Sequence, residues 1–295
     1  MRIVVTGSEG QVATALGERG VAMGVEIVRL GRPTLDLARP ETIRTALIEA
    51  RPDVIVNAAA FTAVDLAEDE AEMAFAVNAV GAGEVAAVAH ALNVPVIQIS
   101  TDYVFDGTKQ TPYVEDDATG PTGVYGASKL AGEAAVAQAH ANHAILRTAW
   151  VYAPYGKNFV RTMLRLAETR DELRVVADQV GSPTYAPDIA DAVIRVAQNL
   201  LAQPNNAGLR GVFHLGGEGE ANWAQLAEAT FALAALHGGK GATVFPISTA
   251  EYPTPARRPA NSRLDCTKIA QQHGVMMPAW RDSLAQCVKR LYAGS

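Results

Sequence analysis

The chain has 295 residues, 49% hydrophobic and 19% charged, which excludes a disordered or fibrous protein and leaves one large domain or two modest ones with a substantial core. Its net charge of −6 argues against a nucleic-acid partner, because phosphate backbones are held by clustered Lys and Arg. Cys266 and Cys287 are too few for a disulfide framework and no His/Cys spacing suits a metal; with no apolar run of about 18 residues and no signal-peptide layout, no membrane partner and a cytoplasmic location are expected.

A strand over 3–6 runs into Gly7-Ser8-Glu9-Gly10-Gln11-Val12-Ala13, which opens a helix over 11–19. Gly7 permits the tight turn, Gly10 lets a pyrophosphate approach the backbone amides at the positive helix end, and Gln11 and Val12 follow as cofactor contacts. Ala13 keeps the third position small. The second strand, 26–30, ends in Arg29-Leu30-Gly31-Arg32, where a carboxylate for the ribose 2′-hydroxyl is absent. Arg29 or Arg32 can instead meet a 2′-phosphate, so NADPH is favoured and NADH left open. Asp36 and Leu37 stand where an adenine would be bracketed. After a helix over 41–50 and a strand over 54–57, Ala58, Ala59 and Ala60 let the chain pass close to a cofactor.

A helix over 71–92 and a strand over 96–100 lead to Thr101, Asp102 and Tyr103, and a helix over 125–139 then carries Tyr125 and Lys129 at i and i+4, on one face. A lysine cation beside a tyrosine favours the phenolate and lowers the phenol pKa towards the working range, which suits a general acid. A strand over 145–148 completes a βα alternation whose apolar runs predict a parallel, doubly wound (Rossmann) α/β sheet, with residues 1–150 as the dinucleotide-binding domain.

Beyond residue 150 the pattern weakens into a smaller C-terminal α/β region, 151–295, expected to bind substrate, with a stretch near 178–220 left open to return to the first domain. Helices are predicted over 159–168, 187–200 and 223–236, and strands over 173–177 and 211–215. Asn222-Trp223-Ala224-Gln225 has a capping-box layout. Tyr252-Pro253-Thr254-Pro255-Ala256-Arg257-Arg258-Pro259 predicts a stiff, extended loop.

These residues resemble the extended short-chain dehydrogenase/reductases and, within them, the dTDP-4-dehydrorhamnose reductase family. The likeness runs almost end to end, through Arg51-Pro52-Asp53-Val54-Ile55-Val56-Asn57, Thr62-Ala63-Val64-Asp65, Ser100-Thr101-Asp102-Tyr103-Val104-Phe105, Tyr125-Gly126-Ala127-Ser128-Lys129, Arg147-Thr148-Ala149-Trp150 and the proline-arginine loop. Tyr-x-x-x-Lys marks only the superfamily; the Ser-Thr-Asp-Tyr-Val-Phe segment with that loop is far more specific. The resemblance implies reduction of a 4-keto dTDP-sugar by NAD(P)H, with Tyr125 as acid, Thr101 hydrogen-bonding the reacting oxygen, and Lys129 tuning the tyrosine and binding the nicotinamide ribose. It implies substrate contacts from Val64, Asp65, Asp102, Tyr103 and Trp150, with Asn158, Arg257 and Arg258 as further candidates, and a water-relay position at Asn78. Some members carry magnesium at a dimer interface held in part by an acid in the first helix; Ala15 stands nearest that position here, so no metal-bridged dimer is expected, and a different homodimer or a monomer is left open. Two alternatives share the residues: another sugar-nucleotide reductase or epimerase, and a non-catalytic regulatory subunit resembling the methionine adenosyltransferase β subunit.

Overall fold

The computed structural model describes residues 1–293. Its centre is a parallel sheet of β1 (Arg2–Thr6), β2 (Glu26–Leu30), β3 (Val54–Asn57), β4 (Val96–Thr101) and β5 (His143–Thr148), in the order β2-β1-β3-β4-β5, with Gly211–His214 added outside β5. Strand residues alternate between two cores, as a two-residue side-chain period requires. Ile3, Val5, Val56, Ile97 and Leu146 face helices Gln11–Ala22 and Ala186–Ala202. Val4, Ile55, Val96 and Ile145 face helix Pro40–Ala50, the long helix 71–92 and helix Val124–Ala139. Cover on both faces explains why β3 reads as an unbroken apolar run. The later chain thus contributes both a strand and a helix to the first sheet.

The order reverses between β1 and β3, so the loops leaving their carboxyl ends diverge and open a crevice. Behind it, a polar ladder crosses three strands: Thr6 Oγ1 donates to Asn57 Oδ1 at 2.5 Å, and Asn57 Nδ2 to Gln98 Oε1 at 2.7 Å. The Thr6 hydroxyl also accepts from the Ala59 amide at 3.1 Å, which fixes the turn after β3.

The long helix differs from the continuous one expected. It runs as Ala71–Phe75, a π-helical segment Ala76–Gly81, and Ala82–Leu92. The wider turn carries Asn78, whose side chain accepts from the Phe61 amide at 2.8 Å and donates to the Phe61 carbonyl at 3.0 Å and to Ser128 Oγ at 3.0 Å. Asn78 therefore ties together the loop after β3 and the Tyr125 helix. With a mean hydropathy of 1.4 over its most apolar window, this helix is apolar enough by composition to cross a membrane; here Val85, Ala86, Val88 and Ala89 lie in the core.

In the second region, Glu172–Val176 pairs in parallel with Thr243–Ile247. The latter strand was not expected, because Pro246 interrupts it; a two-stranded sheet is all edge and tolerates the missing donor. Val180–Gly181 lies between Ala221–Asn222 and Asn261–Ser262, and Val151–Tyr152 pairs with Thr184–Tyr185. Strands of two residues have no readable period. Helices Phe159–Ala167, Trp223–Ala235 and Trp280–Ala293 cover these ladders, the last of them unexpected. The Asn222 capping box forms: Asn222 Oδ1 accepts from the Gln225 amide at 2.8 Å, and Gln225 Oε1 from the Asn222 amide at 2.9 Å.

Candidate active site

The turn after β1 is built for close approach. Gly7 has φ +95°, a conformation that side chains rarely adopt, and its amide donates to the Leu30 carbonyl at 2.6 Å. A Cβ on Gly10 would meet nothing within 4 Å. No side chain caps the first helix and its first turn carries no acid, so its leading amides and positive dipole end are left for an anion.

This turn floors a cleft of about 1120 Å³. One end is lined by Gly7, Gly10, Gln11 and Val12, and by Arg32, Asp36 and Leu37; Ala58, Ala59 and Ala60 form the adjoining wall. The other end holds Val64, Thr101, Asp102, Tyr103, Tyr125, Lys129 and Trp150. Cleft and turn together fit an extended dinucleotide: a glycine cradle, free helix amides and a cation beside the second strand.

Helix Val124–Ala139 puts Tyr125 and Lys129 one turn apart, facing the end of β4. Thr101, the last residue of β4, donates to Asp102 Oδ1 at 3.1 Å and accepts from the Tyr103 amide at 3.2 Å. The Tyr103 ring packs edge-on to Tyr125, with centroids 5.4 Å apart.

The electrostatics correct one expectation. Burial raises the Tyr125 phenol; Thr101 opposes this, while Asp102 and Tyr103 add to it, and Lys129 is not among the groups acting on it. The Lys129 ammonium instead donates to the Ile99 carbonyl at 2.7 Å, and burial lowers its pKa to about 8 against the upward pull of Glu133. Tyr125 in this state is a reluctant anion and a ready holder of its proton. Burial also raises the Asp102 carboxyl to about 6, offset in part by Ser262 and Thr101, and its Oδ2 lacks a hydrogen-bond partner within normal geometry.

Comparison with known proteins accords with this geometry. Residues 1–293 match the family model described as RmlD substrate binding domain. The chain belongs to the RmlD substrate binding domain family. A dTDP-4-dehydrorhamnose reductase of Sinorhizobium fredii is 54% identical over 98% of this chain and 97% of its own, and one of Escherichia coli is 40% identical over 99% and 98%. A solved dTDP-4-dehydrorhamnose reductase from Bacillus anthracis, in complex with NADP, superposes with a TM-score of 0.89 at 34% identity, covering 100% of this chain and 99% of that one. A UDP-glucose 4-epimerase of Thermus thermophilus, at 22% identity and TM-score 0.80, shares the fold.

Four expected contacts of this RmlD-family chain stand away from the cleft lining. Arg258 is committed to Asp65, Nη2 to Oδ2 at 2.5 Å, and its Nη1 lies 3.3 Å from the Tyr103 hydroxyl. Asp65 also accepts from the Ala256 amide at 3.2 Å. The pair thereby fastens the late loop behind Tyr103. Arg257 is exposed on that loop. Asn158 caps helix Phe159–Ala167, accepting from the Arg161 amide at 3.1 Å while donating to Gln11 Oε1 at 2.9 Å. Its hydrogen-bonding capacity is thus already engaged.

The cleft also recruits residues that sequence reasoning missed. Lys157 stands in its wall just after Gly156, and Thr148, the register partner of Thr101 on β5, presents a buried hydroxyl without a partner. Only strand pairing reveals that two threonines meet there. Trp150, held at φ +48°, stacks on Trp223 with centroids 3.4 Å apart and planes 8° from parallel. Trp223 is fixed in turn by Nε1 donating to Gln179 at 3.0 Å. An Asn at a helix start signalled the cap, but not the indole behind the cleft.

Proposed function

We propose that this chain reduces the 4-keto group of dTDP-4-dehydro-β-L-rhamnose to dTDP-β-L-rhamnose with NADPH, NADH being the weaker donor. The observation that carries the reading is the Thr101, Tyr125 and Lys129 set at one end of a cleft whose other end is a dinucleotide cradle; relatives up to 54% identical carry the reductase name. The nicotinamide supplies a hydride. Tyr125 holds the proton that passes to the sugar O4, and its raised pKa keeps that proton in place until negative charge develops on the oxygen. The Thr101 hydroxyl donates to the same oxygen as that charge grows. Lys129 binds the ribose hydroxyls. Arg32 takes the 2′-phosphate; Gly7, Gly10, Gln11 and Val12 take the pyrophosphate.

For the sugar nucleotide, Val64, Asp102, Tyr103 and Trp150 are the contacts we favour, with Lys157 in the cleft wall as the cation for its diphosphate. Asp65 and Arg258 act by bracing Tyr103. Residues 1–150 hold the dinucleotide, aided by the strand and helix that return from the later chain, and also supply Val64, Asp102, Tyr103 and Trp150 to the sugar pocket, which the later region completes with Lys157 and the Trp223 that backs Trp150. Both ligands are membrane-impermeant anions, which supports a cytoplasmic place. The test follows NADPH absorbance with enzymatically prepared dTDP-4-dehydro-β-L-rhamnose. Turnover by the wild type and a loss of kcat of about 10²-fold or more in Tyr125→Phe are expected; no turnover, or a Tyr125→Phe enzyme of near-normal kcat, overturns the reading.

A further inference from the structure

We infer that Glu133 is a positioning residue of this reductase: its carboxylate, anchored by Arg147 and Ser100, is the buried counter-charge that keeps Lys129 an ammonium. The inference rests on the reading of Lys129 given above.

Tyr125, Lys129 and Glu133 stand at i, i+4 and i+8 of one helix, and so in one row. β4 grips the row twice, since Ile99 O accepts from Lys129 Nζ at 2.7 Å and Ser100 Oγ donates to Glu133 Oε1 at 2.5 Å. From β5, Arg147, the register partner of Ser100, donates Nη2 to Glu133 Oε2 at 2.7 Å and Nε to Oε1 at 2.9 Å. Lys129, Glu133 and Arg147 are only 4%, 5% and 4% exposed. This buried cluster therefore holds two cations and one anion.

Stability alone is a poor account of such a group. A buried ion pair is often replaced by apolar residues without loss, whereas removing one member leaves an uncompensated charge. The arrangement also leaves Arg147 Nη1 buried without a partner. What the group does supply is a fixed negative charge one turn from Lys129.

The other titratable or charged groups on elements packed against this helix are Asp65, Glu68 and Asp69, Glu70 and Glu72, Glu84 and His90, Asp102 and Tyr103, and His143 and Arg147 on β5. None of these acts on Lys129; Glu133 does, and it opposes the burial that lowers the ammonium. If Glu133 were neutral, nothing would oppose that burial. Guanidinium groups keep their proton in proteins, so the lysine would release one.

The experiment titrates the ε-carbons of [ε-¹³C]lysine-labelled protein by NMR, with Lys129 assigned from Lys129→Met. It needs neither cofactor nor substrate, so its outcome is separate from that of the reductase assay. Glu133→Gln should lower the Lys129 pKa by about one unit or more, while Glu133→Asp, which keeps the charge, should stay within about half a unit of wild type. If Glu133→Gln unfolds, the Glu133→Gln/Arg147→Met double variant leaves no unpaired buried charge from this pair and should show the same fall. A Lys129 pKa unchanged in Glu133→Gln or the double variant, or an equal fall in Glu133→Asp, overturns the inference.

Discussion

Replacing Gly181 by alanine tests whether the Trp150 wall is set by packing. A Cβ built there lies 2.5 Å from Trp150 Cε2, 2.7 Å from Nε1 and 2.9 Å from Cζ2. Carbon atoms rest at about 3.5–4.0 Å, so the indole or the strand must shift by roughly 1 Å. Neither has much room. Gly181 is paired on both sides, to Ala221 and Ser262, and behind Trp150 stands Trp223, itself held by Gln179 and packed against Phe159. Overpacking of this kind costs about 1–3 kcal/mol, whereas Gly→Ala at a permitted backbone gains only about 0.4–1 kcal/mol through the unfolded chain. The strain wins, and Tm should fall by roughly 2–6 °C. Because the indole moves in the sugar half of the cleft, KM for the dTDP-sugar should rise by about tenfold or more while KM for NADPH stays within about twofold. Initial-rate kinetics and thermal melts read both. Gly120→Ala, whose Cβ would meet only Asp106 Cβ at 3.6 Å, is the control that should leave both unchanged. A Gly181→Ala enzyme with higher Tm and wild-type KM for the sugar would refute the packing argument.

Asp102→Asn should stabilise the protein at neutral pH and depress kcat/KM. With Asp102 raised to about 6, the native state holds a proton that the unfolded chain releases near 4, so the cost of the ionised group is complete above about pH 6 and absent below about pH 4. It approaches about 3 kcal/mol by linkage, reduced to roughly 1–2 by the unpaired amide of Asn; melts at pH 8 should show the gap, and towards pH 4, where only the amide's cost remains, it should reverse sign. Arg32→Ala should raise KM for NADPH roughly tenfold and leave that for NADH unchanged, in a comparison of the two donors; equal effects on both would remove the 2′-phosphate assignment. Asn78→Ala should cost about 1–3 kcal/mol in urea unfolding by stranding the part-buried Phe61 amide and carbonyl, and a cost below about 0.5 kcal/mol would show that water satisfies them.

Much of the framework was legible because its causes are local. A strand buried on both faces must be apolar throughout, as Val54-Ile55-Val56 is, and a glycine forced to φ +95° at the end of β1 advertises a turn. Tyr125 and Lys129 share a face because helix geometry repeats in every helix. The sequence could also narrow the cofactor: no carboxylate stands at the end of β2 in Arg29-Leu30-Gly31-Arg32, which favours NADPH and leaves NADH open.

What tertiary structure decided depends on residues far apart in the chain. Arg258 looked free for a diphosphate until the fold set it against Asp65, and Asn158 looked like a ligand contact until it capped a helix and reached Gln11. Thr101 and Thr148 become neighbours only through strand register, and Trp223 stands behind Trp150 only because two regions pack together. The same holds for charge. Spacing put a lysine beside a tyrosine, but a pKa depends on burial and on every charge nearby, and those set Lys129 against Ile99 and Glu133 rather than against the phenol. Periodicity and motif determined which groups are present and on which face; the three-dimensional environment determined their protonation and their partners.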